Sequence, residues 1–149
     1  MLPKMKIFIE HPDTHEPVPA SEWILRDDRT NAQWLIVEVG TPSFSFKLHK
    51  QELGIFTWPE AIEACSAKGG RPGTRAELLA LYDARYGHGL NEILNAIGGH
   101  PMKGWYWTEE EDADPQCSQQ YAWLVDLYRG NVGYLAKARG YQVRLVSAL

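Results

Sequence analysis

The chain predicts an α+β fold in which two to three helices pack on a small, twisted antiparallel sheet. Three observations carry this. Two Thr-x-x-Glu capping boxes, at 57–60 and 74–77, open stretches with an apolar residue every three to four positions. Short β-branched and aromatic runs lie before them and after them, with a period of two. The order is therefore strands, helices, strands, which favours helices gathered against an antiparallel sheet over an alternating βα array.

In chain order, residues 4–10 (Lys-Met-Lys-Ile-Phe-Ile-Glu) read as a short strand. Three prolines and two histidines within 11–19 make that stretch a loop or extended arm. Residues 32–39 are β-rich, Gly40–Ser43 is a turn, and Phe44 to His49 alternates apolar with polar, so the two runs form a hairpin. Thr57 caps the first helix and Glu60 reaches back to it; Pro59 sits in the first turn, where its missing N–H costs nothing. Trp58, Ala61, Ile62 and Cys65 line its buried face, and Gly69-Gly70 ends it. Thr74 and Glu77 cap the second helix, which carries Leu78, Leu81, Tyr82 and Tyr86 and breaks at Gly87-His88-Gly89. A third short helix runs from Leu90 to Ile97. From Trp105 the period becomes two, with strands at 105–108, 121–128, 131–136 and 141–147 and a hairpin turn at Arg129-Gly130-Asn131.

Length and composition narrow the function classes. At 149 residues the chain fits one domain. A formal net charge of -4 lacks the basic footprint of a nucleic-acid binder, and the late basic residues Arg129, Lys137, Arg139 and Arg144 read mostly as solvated strand positions. The N-terminus has no apolar signal-peptide core, and no apolar run reaches the ~20 residues that span a membrane. The expected location is a cytoplasm or a phage particle assembled in one. Cys65 and Cys117 are too few for a disulfide scaffold or an unaided zinc cage.

Four pieces occur in order: Phe56-Thr57-Trp58-Pro59-Glu60-Ala61, Arg71 to Leu78, Tyr106-Trp107-Thr108, and Ala122-Trp123-Leu124-Val125 with Val143-Arg144-Leu145-Val146. Together they resemble a bacterial and phage group with a C-type-lectin-like fold. Its relatives include the C-terminal domains of collagen-like adhesins, the formylglycine-generating-enzyme fold, and variable proteins diversified by retroelements. The resemblance covers about residues 55–149 as a C-type-lectin-like core; residues 1–54 form an N-terminal strand and hairpin segment integrated with it. Where the family usually shows Trp-Arg-Leu-Pro-Thr, this chain has Gly70-Arg71-Pro72-Gly73-Thr74. Many members pair a first-helix cysteine with one in the last strand; here those positions are Cys65 and Leu145, so that disulfide is not expected.

No residue set spells out a reaction, and the resemblance implies a non-enzymatic, cofactor-free binding or adhesion domain. Glu109 to Asp114 is a dense acidic loop that offers calcium oxygens, but the lectin sugar motif is missing and Asp114-Pro115-Gln116 is only a loose echo; no metal ligand is assigned. The five histidines show no ligand spacing and read as exposed loop residues. Along 121–128, Tyr121, Trp123, Val125 and Leu127 share one face, taken as core; Ala122, Leu124, Asp126 and Tyr128 share the other. The candidate ligand-binding set is Asp126, Tyr128, Arg129, Tyr134, Lys137, Arg139 and Tyr141, a mixture of tyrosines and charges suited to recognising a protein or glycan. Two alternatives stand beside this. The aromatics form a homo-oligomer interface in a phage or bacterial assembly, or Cys65 and Cys117 are the reactive thiols of a formylglycine-generating-type oxidase.

Overall fold

A computed structural model describes residues 4–40, 43–111 and 120–149. They form eight strands and four α-helices: β1 (Met5–Glu10), β2 (Pro17–Pro19), α1 (Ala20–Trp23), β3 (Trp34–Gly40), β4 (Ser43–Phe56), α2 (Trp58–Ser66), α3 (Arg75–Gly87), α4 (Leu90–Ala96), β5 (Trp105–Glu111), β6 (Tyr121–Asp126), β7 (Val132–Ala136) and β8 (Tyr141–Ser147). The fold is mixed α and β, but the sheet is not small. All eight strands join in the order β2-β1-β3-β4-β8-β5-β6-β7. Every pairing is antiparallel except β5 with β8, which meet in parallel at Tyr106 and Gln142.

Both capping boxes form. At α3, Thr74 Oγ1 accepts from the Glu77 amide at 3.1 Å, and the Thr74 amide donates to Glu77 Oε1 at 2.8 Å. Two segments depart from the sequence expectation. Part of the proline-rich arm extends into β2, and residues 20–23 form α1, whose buried Trp23 donates its indole N–H to the Arg29 carbonyl. Neither short element has a periodic signal long enough to read.

The expected core of β6 was half of the real one. Helices cover both faces of the sheet. α2 lies on one face, with Ala61 and Cys65 packed among Trp107, Ala122, Leu124, Val143 and Leu145. α1, α3 and α4 lie on the other, over Leu35, Val37, Phe46, Tyr106, Val125 and Val146. Ala122 and Leu124 are therefore as buried as Val125 and Leu127, while Trp123 is only half-buried. Period-two alternation identifies the outward face of a sheet only when one face meets water.

Arg144 is a second correction. It sits in β8 at 1% exposure instead of in solvent. The register of β4 against β8 slips between Leu48 and Glu52, so the β4 backbone there leaves the regular ladder. Arg144 bonds two carbonyls of that stretch and one from the loop after α4: Nε donates to His49 O at 3.0 Å, and Nη2 to Lys50 O at 2.5 Å and His100 O at 2.7 Å, Lys50 O also accepting from the His100 N–H. His49 lies in β4, where the hairpin reading puts it, but it is half-buried and not exposed, with its ring edge-on to Trp34, centroids 4.9 Å apart. Burial, and then the neighbouring Arg144 charge, hold the His49 pKa below the ordinary imidazole value.

Candidate functional site

The seven candidate residues do not form one surface. Asp126 is buried at 5% exposure. Its carboxylate accepts from the Tyr128 amide at 2.9 Å, and its backbone closes the turn: Asp126 N–H donates to Asn131 O and Gly130 N–H to Asp126 O. It shapes the β6–β7 turn and is not part of the exposed surface. Lys137 and Tyr141 also leave the set. Lys137 Nζ lies 4.4 Å above the Trp58 ring and 3.4 Å from Glu111, while Tyr141 packs edge-on to buried Trp107 at 5.4 Å. Both belong to the α2 side of the sheet. Arg129 and Arg139 are exposed, in the turns before and after β7. Tyr128 and Tyr134 remain, exposed at 60% and 51%.

Those two tyrosines join α3 residues left out of the candidate set and the β6 residues Tyr121 and Trp123, which the sequence places in the core. Tyr82 and Tyr86 pack edge-to-face, centroids 5.1 Å apart, on the α3 flank nearest the β6–β7 turn. The Tyr86 hydroxyl donates to the Tyr128 carbonyl at 3.2 Å, and Tyr86 itself is 64% exposed. The Arg85 guanidinium lies 5.5 Å from the Tyr86 ring and 5.7 Å from the Tyr128 ring. Arg85 Nε and Nη1 are shielded from water and have no hydrogen-bond partner among the described residues. Gly130 lets the turn approach. Its φ is +76°, and a Cβ there would fall 2.7 Å from the Tyr82 ring.

A second aromatic group continues along β6 and β7. Tyr134 meets Trp123 edge-on at 5.1 Å and Tyr121 at 6.0 Å. The Arg75 guanidinium stacks 4.3 Å from the Trp123 ring and is held by Glu110 at 3.0 Å. The patch thus runs from the C-terminal turn of α3, across the β6–β7 turn, to the outer strand. Its base is fixed by a part-buried ion pair at the start of α3, where Arg71 grips buried Glu77 through two contacts of 2.6 and 2.9 Å. Burial raises the Glu77 pKa, but the Arg71 hydrogen bonds and the Thr74 amide outweigh it, and the net shift is downward.

The other candidate chemistries take the following positions. Glu109, Glu110 and Glu111 face Arg71 at 3.9 Å, Arg75 at 3.0 Å and Lys137 at 3.4 Å; Asp112 and Asp114 lie outside the described residues. No group of three or more His, Cys, Asp or Glu side chains is placed to hold a metal ion among the described residues. Cys65 is a free, buried thiol whose pKa burial pushes up to about 12, so it is not a thiolate near neutral pH. Cys117 lies outside the described residues. No described helix is long and apolar enough to cross a membrane. A cleft of ≈840 Å³ between β1 and the β3–β4 hairpin has Lys4, Lys6, Glu38 and His88 as its titratable lining groups.

The missed residues had a faint signal. Along α3, Leu78 and Leu81 are followed at helical spacing by Tyr82 and Tyr86, so the apolar stripe becomes amphipathic toward its C-terminal end. A stripe of that kind is consistent with a rim as well as with a core. No protein-family model matches the chain, and comparison with curated proteins gives no match.

Proposed function

We propose that this chain is a recognition domain of the C-type-lectin-like type that binds a protein or glycan, without catalysis, through the tyrosine patch of α3 and the β6–β7 turn. One observation carries the reading: Tyr86 and Tyr128, 42 residues apart in sequence, are held together with well over half of each side chain open to solvent and a guanidinium beside both rings. Rigid aromatic side chains with an arginine give large contact area at low entropic cost, the usual make-up of binding hot spots. In support of the fold type, Cys65 and Leu145, at the positions of the family's helix–strand cysteine pair, are buried in the same cluster beneath α2. Burial of Cys65 and its raised pKa disfavour a role for it as a reactive thiol.

The test is a Tyr86→Ala/Tyr128→Ala double variant, compared with wild type on a glycan array and against a displayed random-peptide library. Binding that disappears in the variant, with a melting temperature within a few degrees of wild type, is the expected result. Equal binding by both proteins rejects the patch. The oligomer alternative predicts instead a stable multimer by light scattering that the same double change dissociates.

A further inference from the structure

Sheet edges are normally guarded, because a row of unpaired backbone groups invites another strand. The two edges of this sheet differ. β2 is three residues long and has proline at both ends, which removes two donors. β7, at the opposite end of the strand order, is Val132-Gly133-Tyr134-Leu135-Ala136, with no proline and no charge.

The hydrogen-bond phase of β7 follows from its two ends. Asp126 N–H donates to Asn131 O at 2.8 Å, and Lys137 N–H donates to Gln120 O at 2.8 Å. Both pairs extend the β6–β7 register by one residue, and hydrogen-bonded pairs recur at every second position of an antiparallel ladder. The intervening bonded pairs are thus Leu124 with Gly133 and Ala122 with Leu135. Val132 and Tyr134 turn their N–H and C=O groups away from β6, along the edge that no described strand covers; Ala136 turns its N–H the same way, while its C=O accepts from the Arg139 N–H at 3.0 Å. Val132 and Tyr134 are also exposed side chains, at 40% and 51%.

Charge selects among occupants. Exposed Arg129 and Arg139 stand just beyond the two ends of β7, and neither is in an ion pair among the described residues. A second copy of this chain pairing antiparallel at β7 would bring Arg129 of one copy toward Arg139 of the other, a like-charge contact. Carboxylates in the same places would be attracted. At the far end of the strand, Thr57, Pro59, Ala136, Lys137 and Ala138 line an open cleft of ≈460 Å³, with room for a further side chain.

We infer that β7 is a docking edge that takes, as a ninth strand, an extended acidic segment of a partner protein, with carboxylates at both ends and small or β-branched residues between. This rests on the recognition reading above and names its partner as a peptide. Backbone hydrogen bonds to Val132, Tyr134 and Ala136 supply affinity, and the flanking arginines set the charge preference. The outward groups span four residue steps, or about 13 Å, which suits a segment of about seven residues.

The experiment pans a phage-displayed library of random seven-residue peptides on immobilised wild-type protein and measures one recovered peptide in solution. Enrichment of Asp or Glu toward both peptide ends is expected, with affinity falling as salt rises. A Val132→Pro/Tyr134→Pro variant deletes two outward donors and no β6–β7 bond; it should bind at least tenfold more weakly. Backbone N-methylation of the peptide on one alternating set of residues should abolish binding and on the other set leave it, a readout on wild-type protein that stands even where the proline variant fails to fold. No enrichment, or recovered peptides insensitive to both N-methyl sets, overturns the inference. Unchanged binding to the proline variant with tenfold loss in Tyr86→Ala/Tyr128→Ala removes the docking edge and keeps the patch; unchanged binding in both removes both. A wild-type dimer that the proline variant dissociates assigns the edge to a second copy instead.

Discussion

Arg144 and Arg85 both lie near tyrosines on the α3 side of the sheet, yet their donors are used to different extents. Arg144 has three backbone carbonyls around it and almost no contact with water. Glu52 lies 3.9 Å from its Nη1 and also accepts a short hydrogen bond from Tyr106. Arg85 has two tyrosine faces for neighbours, and two of its nitrogens lack any partner among the described residues. Burying a guanidinium is costly unless its donors are used, so the first arrangement is what a fold needs. The second leaves two shielded donors unused beside exposed aromatics, where Arg144 leaves only Nη1 unbonded, so Arg85 is the less satisfied of the two and sits next to the surface proposed for a partner. The comparison separates residues that hold this molecule together from residues available to something else.

The largest effect should come from breaking the first arrangement. Arg144→Met removes a donor from the His49, Lys50 and His100 carbonyls, of which Lys50 keeps the His100 N–H, and takes the nearby positive charge from Glu52; it should cost on the order of 3–5 kcal/mol, as for other disrupted buried charge networks. Arg144→Lys should recover little, because an ammonium cannot reproduce the guanidinium fork. Urea denaturation reads both. A loss below about 1 kcal/mol for Arg144→Met would mean that water replaces the side chain and that Arg144 is not the clamp described here.

Gly130→Ala sharpens the comparison at the border between fold and patch. Its positive φ already costs a Cβ-bearing residue about 1 kcal/mol or more, and the new methyl must displace the Tyr82 ring. A destabilisation of about 1–3 kcal/mol is expected, together with a changed tyrosine environment in near-ultraviolet circular dichroism. A stable variant with an unchanged spectrum would show that the turn does not rest on Tyr82.

The base of the patch gives a pH dependence. The folded-state pKa of Glu77 is depressed, so its pairing with Arg71 stabilises the fold above the unfolded carboxyl value of about 4.3. That contribution is lost as pH falls through the lower folded value. Glu77→Gln should cost about 2 kcal/mol at pH 7 and flatten this acid limb of the stability curve. His49 acts in the same direction at higher pH: its depressed pKa means that stability begins to fall as pH drops below about 6.5, and His49→Gln should remove that shoulder. A stability curve unchanged by either substitution contradicts the assigned cause.

The sequence made the local grammar legible. The two Thr-x-x-Glu boxes set the starts of α2 and α3, and the glycines at 69–70 and 87–89 marked their ends, because capping is chemistry between near neighbours. Long-range arrangement was not legible in the same way. That β4 continues to Phe56 and pairs with both β3 and β8 has no local signature, and it is what merges all eight strands into one sheet. A sheet covered on both faces then defeats period-two logic, which is why Asp126 and Arg144 were assigned to solvent. Tyr128 and Tyr134 were found from β6 and β7 alone, whereas Tyr86 and Arg85 enter the patch only through the packing of α3 on the sheet.

The smallest stability effect belongs to the patch itself, and its smallness is informative. Tyr128→Ala removes a ring that is mostly in water and leaves intact the backbone carbonyl to which Tyr86 donates. Exposed substitutions of this kind usually stay within about 0.5 kcal/mol. Tyr86→Ala deletes an exposed hydrogen bond as well, so its loss should reach about 1 kcal/mol. Both variants, melted beside wild type, should therefore remain close to it. A drop of about 3 kcal/mol or more in either variant, beyond the range for exposed changes, would show that tyrosine to be structural, and Arg85 would then be held by packing on it. Near-wild-type melting leaves the aromatic surface without a role in the fold, the condition that the recognition reading requires.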